Sequence, residues 1–474
     1  MKNNSIHDQS TRKNIRKVAM FYIGLLVILL GYVTHLQVIE SNNLTFNPLN
    51  RRTADASRRV ERGKITDSQG NILALSKLTA QKEYSREYPY AALFAHVVGY
   101  DNAKYGKTGI ESSYEGYLSG QLNPERRLGA ISQLFASGAG NNVMLTINAK
   151  LQQVAYQSLG TNRGSIVALS PKTGAILAMV SRPSFDPNRL ETDWNNISQS
   201  ASSVLLNRAS QGLYPPGSII KVLMAETALV EQDTNKKREF NCNGTLKIGP
   251  DYVLSESGNK AHGKVNLEEA LAVSCNITFG QLALDLGRTK MAKTFERYGF
   301  TQPLNGDFLE SSGKLPDFSK LGDGDLAQTG IGQGSLLVTP LRMAMLASTF
   351  ANKGIMMKPY LVQRITAPDG TVIRETSPIK WLSPVAPNLA DQVAHMMVTV
   401  VEEGTGGGAA IRGVEVAGKT GTAENPHGSP HAWFIGFAPA ENPQIAVAVI
   451  VENAGSGGSV AAPIARQILA QALR

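Results

Sequence analysis

Tyr214-Pro-Pro-Gly-Ser-Ile-Ile-Lys221 is the stretch that decides how this chain is read. A serine and a lysine three residues apart fall on one helix face, so the Lys221 amine is expected within reach of the Ser218 hydroxyl. The prolines and glycine ahead of Ser218 place it at a helix start, where free N–H groups stabilise developing negative charge. Two shorter elements follow, Ser274-Cys-Asn276 and Lys419-Thr-Gly-Thr422. Each alone is weak, because an isolated Ser-x-x-Lys also reads as an N-cap serine with a solvated lysine, and an isolated Lys-Thr-Gly as a turn. Together they supply a nucleophile with its base, a second hydroxyl beside an amide, and a cationic strand. That is the inventory for acylating a serine. Lys221 can act as base only if its pKa is lowered by burial and by a second cation, for which Lys419 is the candidate. Lys419, Thr420 and Thr422, expected on an exposed edge strand, offer a cation and two hydroxyls to a carboxylate, and Gly421 leaves room for a substrate backbone.

The order Ser-x-x-Lys, Ser-x-Asn, Lys-Thr-Gly resembles the penicillin-recognising serine enzymes, the penicillin-binding proteins and serine β-lactamases. Tyr214-Pro-Pro-Gly-Ser218 and Ala417-Gly-Lys-Thr-Gly-Thr-Ala-Glu424 are similar to the transpeptidase branch, as is the run from Gly263 to Asn276. The resemblance implies an α+β fold, an antiparallel sheet flanked by helices. It implies that Ser218 is the nucleophile, Lys221 the general base, Ser274 the proton relay and Asn276 the anchor of a substrate amide. Lys419, Thr420, Gly421 and Thr422 would receive the substrate carboxylate, and the N–H groups of Ser218 and Thr422 would form the oxyanion hole. The implied activity is D,D-transpeptidation of peptidoglycan stem peptides ending in D-alanyl-D-alanine, with β-lactams as covalent mimics and with neither cofactor nor metal.

The chain has 474 residues, too many for one ordinary domain, and its 42% hydrophobic and 18% charged content fits packed globular material. A net charge of +9 raises nucleic acid as a partner, but no basic run is interleaved with aromatics, so a surface facing an anionic membrane and wall is the better reading. Residues 18–39 carry no charged side chain apart from a possible proton on His35, and their length suits a bilayer span. Lys2, Arg12, Lys13, Arg16 and Lys17 precede it, which predicts a cytoplasmic tail over 1–17 and an uncleaved single-pass anchor, in what the resemblance implies is a bacterial membrane. A cleaved signal peptide is the alternative, disfavoured because no small-x-small site follows. Cys242 and Cys275 are the only cysteines; an exported protein could pair them, and a free structural thiol is the default for each.

Residues 40–140 are expected to form a small β-rich pedestal, with a turn near Asn47–Arg51 and a strand pair looping at Asp67–Gly70. Its phrases resemble the non-catalytic pedestal of class B penicillin-binding proteins, in the compact penicillin-binding protein A group. The Gly/Ser-rich Ala136–Asn142 marks the boundary to a transpeptidase domain over 143–474. That domain opens with a strand at Val143–Ile147 and a helix at Ala149–Leu159. Strands at Gly164–Leu169 and Ala175–Val180, then Val414–Thr420, Ala432–Phe437 and Ile445–Val451, imply one sheet built from both ends of the domain, closed by a helix over Val460–Leu473. Gln328–Gly334 carries glycines but no following Lys-Ser/Thr, so it is no phosphate cradle, and Glu403–Gly408 reads as a flexible turn. The seven histidines are dispersed, without His-Glu-x-x-His.

The family further implies a SEDS-type glycosyltransferase partner within a cell-wall synthesis complex. The rival readings are a D,D-carboxypeptidase or β-lactamase-type hydrolase, disfavoured by the missing Glu-x-x-Leu-Asn loop, a β-lactam sensor, disfavoured by the single N-terminal span, and an idle scaffold, disfavoured by the intact motifs.

Overall fold

A computed structural model describes residues 4–38, 40, 60–123, 139–231, 238–426 and 428–474. The turn expected at Asn47–Arg51 and the first residues of the Gly/Ser-rich joint lie outside the described residues. Helix α1 (Asn4–Val38) contains an apolar stretch, Lys13–Gln37, with mean hydropathy 2.0 and none of it buried, long and apolar enough to cross a membrane.

The pedestal begins with β1 (Ile65–Thr66), β2 (Ile72–Leu78) and β3 (Tyr84–Glu87), joined in antiparallel pairs. Asp67 shapes the first turn, accepting from the N–H groups of Gln69 (2.9 Å) and Asn71 (2.8 Å). Strand β4 (Asn142–Leu145) pairs parallel with β1 on one side. The strand expected at Val143–Ile147 therefore forms in a six-stranded sheet with the pedestal, rather than in the sheet of the strands expected at Gly164–Leu169 and Ile445–Val451. Helix α2 (Ala149–Ser158) follows, capped by the Asn148 side chain on Leu151 N–H.

Strands β5 (Gly164–Leu169) and β6 (Ile176–Arg182) form a hairpin across Ser170–Gly174. After them come the helices that carry the first two motifs: α3 (Lys221–Glu231), α4 (Leu267–Ala272) and α5 (Asn276–Arg297), then α6 (Pro340–Ala351). Pro340 stands at the first turn of α6, where its missing N–H has no cost, and the Thr339 hydroxyl caps Arg342 N–H. Strand β7 (Val362–Thr366) pairs antiparallel with the other side of β4 and with β8 (Val372–Glu375), which completes the order β8-β7-β4-β1-β2-β3.

Helix α7 (Pro387–Glu402) leads to β9 (Ala417–Ala423), β10 (His431–Ala438), β11 (Ile445–Val451) and the last helix, α8 (Ala461–Ala472). A five-stranded sheet has the order β9-β10-β11-β5-β6, all antiparallel: three late strands joined to two early ones. Every residue of β5 and β11 is buried, because both sheet faces are covered. Val167 and Leu169 face the core containing Met343 and Ala347 of α6, whereas Ile166 and Ala168 face Ile464 and Ile468 of α8.

Candidate active site

The Ser218 turn is held by contacts to its backbone from three directions. Tyr214 pairs with Val338 through both N–H···O bonds (3.0 and 2.8 Å), Trp433 Nε1 donates to Pro215 O (3.0 Å), and Gly217 N–H donates to Gly332 O (2.8 Å). Tyr214 Oη also donates to Glu452 (2.8 Å), a carboxylate that Arg208 Nε holds at 2.7 Å. Gly217 has φ +57°, and a Cβ on it would sit 2.8 Å from the Thr422 carbonyl oxygen. Only glycine takes that dihedral freely and lets the turn lie directly against β9. Gly332 belongs to the glycine-rich Gln328–Gly334 run, whose role here is to buttress this turn: a Cβ on Gly332 would meet Gly217 O at 2.0 Å.

Gly217–Ile220 is a 3₁₀ turn, so Ser218 lies just before α3 and Lys221 is that helix's first residue. Ser218 is half-buried and Lys221 fully buried. Lys221 Nζ donates to Ser274 O (2.6 Å) and Asn276 Oδ1 (2.7 Å), with Ser274 Oγ at 3.4 Å. Among the described residues it makes no hydrogen bond to Ser218, although the i, i+3 spacing pointed there. The helix geometry gives proximity; the buried carbonyl and amide supply the stronger acceptors. Burial pushes the Lys221 pKa down to about 8, against the opposing pull of Glu256 and the Cys275 sulfur.

Ser274 sits in the gap between α4 and α5. Asn266 and Glu269 form a capping box that starts α4. Ser274 breaks the helical path with φ +61°, a left-handed conformation rare for a side-chain-bearing residue. Lys419 Nζ donates to Ser274 Oγ at 3.0 Å and to Thr420 O at 2.9 Å. One hydroxyl is thereby shared by two lysines from different motifs. Lys419 is fully buried, and first burial, then the neighbouring Lys221, push its pKa well below the ordinary value. The expected depression by a second cation thus falls on Lys419; for Lys221 the cause is burial. Asn276 has both ends of its amide engaged, Oδ1 by Lys221 and Nδ2 on Ser255 O (3.1 Å).

Strand β9 lies at the edge of the hydrogen-bonding order, but of its residues only Thr422 is exposed. The expectation of an exposed edge strand is corrected, because α7 and the Ser218 turn pack against it. Glu403–Gly408 is likewise no free turn. A Cβ on Gly404 would lie 2.3 Å from Ala272 O, Thr405 N–H donates to that same carbonyl (3.0 Å), and Gly406 N–H to Val400 O (2.8 Å).

Sequence reading missed Glu256. The residue is 5% exposed, and its carboxylate accepts from Cys275 Sγ (3.0 Å) and Ile277 N–H (2.8 Å), anchoring the Ser-x-Asn turn from behind. Burial would raise its pKa, but these donors and Lys221 outweigh burial and leave it below the usual carboxylate range. Burial and Glu256 push the Cys275 thiol up to about 12. Cys242 Sγ lies 3.5 Å from Glu256 and 3.5 Å from His262 Nδ1, so both cysteines converge on one carboxylate. The ligand atoms of Cys242, Glu256, His262 and Cys275 all lie within 4.8 Å of one another, a donor set that could hold a tetrahedral cation such as zinc. Dispersed histidines in the sequence concealed this cluster; the cysteine inside Ser-x-Asn was the available signal.

The family model for the penicillin binding protein transpeptidase domain matches residues 164–470, and that for the penicillin binding protein A dimerisation domain matches residues 62–143. The chain belongs to the penicillin-binding protein transpeptidase family. This penicillin-binding protein is 37% identical, over 496 aligned positions, to the peptidoglycan D,D-transpeptidase PbpA of Mycolicibacterium smegmatis, covering 97% of this chain and 99% of that protein. It is 31% identical to the peptidoglycan D,D-transpeptidase MrdA of Escherichia coli K12, over 82% of this chain and 71% of that one. Among solved structures, penicillin-binding protein A of M. tuberculosis as a ceftriaxone acyl-enzyme complex superimposes with TM-score 0.82 at 33% identity, covering 89% of this chain and all of that one.

The Gly217 geometry gives a first test. Gly217→Ala is expected to slow penicillin acylation by about tenfold or more, since a displacement of ~1 Å at a reacting group can cost a hundredfold. The left-handed dihedral adds roughly 1–2 kcal/mol of strain. Stopped-flow acylation with a fluorescent penicillin measures it, and a wild-type rate would show that the turn tolerates a side chain.

Proposed function

We propose that this penicillin-binding protein is a membrane-anchored D,D-transpeptidase that cross-links peptidoglycan stem peptides through an acyl-enzyme on Ser218. The observation that carries the reading is the convergence of Lys221, Ser274, Asn276 and Lys419 beside the Ser218 turn. In the neutral state, Lys221 takes the Ser218 proton as Oγ attacks the carbonyl between the two terminal D-alanines. The tetrahedral oxyanion is held by the N–H groups of Ser218 and Thr422. As the C–N bond breaks, the departing amine takes a proton by way of Ser274, and D-alanine leaves. An amine from a neighbouring stem then attacks the ester and restores the Ser218 hydroxyl. A β-lactam enters at the first step, and its acyl group stays tethered after the ring opens.

The substrate carboxylate is received by Lys419, Thr420 and Thr422. Two buried ammonium groups beside one hydroxyl repel, which disfavours charging both lysines, and a substrate carboxylate favours the charged form of Lys419. Asn276 Nδ2 donates to a stem amide carbonyl in exchange for its contact with Ser255 O. With the basic tail over 1–17 in the cytoplasm, the pedestal and catalytic domain face the wall. The anchor and pedestal are the surfaces offered to a SEDS-type glycosyltransferase.

The hydrolase alternative requires an activated water. Among the described residues, no carboxylate hydrogen-bonds Ser218, Lys221, Ser274 or Lys419. The penicilloyl adduct should therefore persist. Full-length protein in detergent is loaded with labelled penicillin, freed of excess and followed for hours. Retained label is the expected result; steady nitrocefin turnover at about 1 s⁻¹ or more would make the protein a hydrolase instead.

A further inference from the structure

We propose that Thr405 is a positioning residue for the substrate carboxylate, acting by donating its hydroxyl proton to Thr420. This inference rests on the transpeptidase reading above, in which the Thr420 hydroxyl is one of the groups that receive the carboxylate.

Thr405 Oγ1 lies 2.6 Å from Thr420 Oγ1. The Thr420 hydroxyl has one proton. If Thr420 donates it to Thr405, only lone pairs remain to face the substrate, and these repel an anion. If Thr405 donates instead, the Thr420 proton is free for the carboxylate, and the two hydrogen bonds in series strengthen each other. An anionic ligand selects the second arrangement.

Thr405 is fixed in place to do this, which the sequence reading of its loop as flexible did not foresee. Its N–H donates to Ala272 O (3.0 Å), and a Cβ on Gly458 would sit 2.8 Å from its carbonyl oxygen. The residue is thus held by its amide and its side chain, with Gly458 close against its carbonyl oxygen. Ala272 ends α4, two residues before Ser274. A single residue therefore ties the strand of Lys419 and Thr420 to the helix that delivers Ser274. Neither contact is a step in bond making, so Thr405 acts through Thr420 rather than on the reacting atoms.

The test compares full-length wild type with Thr405→Val, which keeps shape and loses the hydroxyl, with Thr405→Ala, and with Thr405→Ser, which restores it. The probes are benzylpenicillin and its methyl ester, with acylation followed by intact-protein mass. Thr405→Val and Thr405→Ala should each lower the second-order acylation constant for benzylpenicillin by about three- to tenfold, the worth of the one neutral hydrogen bond that orients and polarises the Thr420 hydroxyl. They should leave the ester nearly unchanged, and Thr405→Ser should stay within about twofold of wild type. Equal losses on acid and ester, or no loss on either, would overturn the assignment. Failure of the transpeptidase reading is separate: the wild type itself would then form no adduct on Ser218.

Discussion

Replacing Ser218 by alanine is expected to abolish covalent penicillin labelling while leaving the protein folded. The turn that carries Ser218 is held by the main chain of Tyr214, Pro215 and Gly217 and by the Tyr214 side chain. Among the described residues no hydrogen bond involves the Ser218 hydroxyl, and the residue is half-buried, so its loss strands no partner and opens no core cavity. The chemical loss is complete, because no ester can form without the oxygen. Labelled penicillin with peptide mass mapping, beside a thermal melt, measures both halves. Full-stoichiometry label on the alanine variant would place the nucleophile elsewhere.

Lys221→Ala should slow acylation by about 10²–10⁴, the typical contribution of a positioned general base. The same lysine sets the pH dependence. Its folded pKa, about 8, lies below the ordinary lysine value, so at lower pH it is protonated and cannot accept the serine proton. Acylation should therefore climb as pH rises towards about 8 and level off above it. Glu256 and the Cys275 sulfur, on the opposing side, favour the charged form, and Lys419 is the neighbouring cation. Stopped-flow acylation across pH 5.5–9.5 with a penicillin whose own ionisation is constant over that range (about 4 units) measures the profile. A flat profile, or a Lys221→Ala variant acylating at the wild-type rate, would assign the base to another group.

What the sequence revealed and what it concealed follow from the range of the interactions. Apolar runs such as Ile445–Val451 announce a sheet covered on both faces, and Pro and Asn punctuate their turns, so five strands were legible. Strand β4 was legible as a strand but not as a partner. It is four residues long, and its neighbours β1 and β7 come from distant parts of the chain, with no local signal to fix the pairing. The motif residues were legible because each motif is short and local. The partners of Lys221 were not, since the choice of Ser274 O and Asn276 Oδ1 over Ser218 depends on how α3 meets the α4–α5 gap. Glu256 and Thr405 stayed hidden for the same reason: a lone acidic or hydroxyl residue in a loop acquires meaning only from what the fold sets beside it.

The closing of the catalytic sheet by its last strands dictates when the domain can fold. Gly164 pairs with Val451, so nearly the whole domain must be present before β5 gains its second neighbour. Until β11 arrives, the β5–β6 hairpin exposes an apolar edge able to pair with any strand it meets. Such distant pairing makes acquisition of structure slow, because loop closure precedes the contacts that reward it. A nascent chain must therefore hold this hairpin unassembled until its C-terminal end is delivered, and a chain halted before Ile445 would keep its own aggregation template exposed.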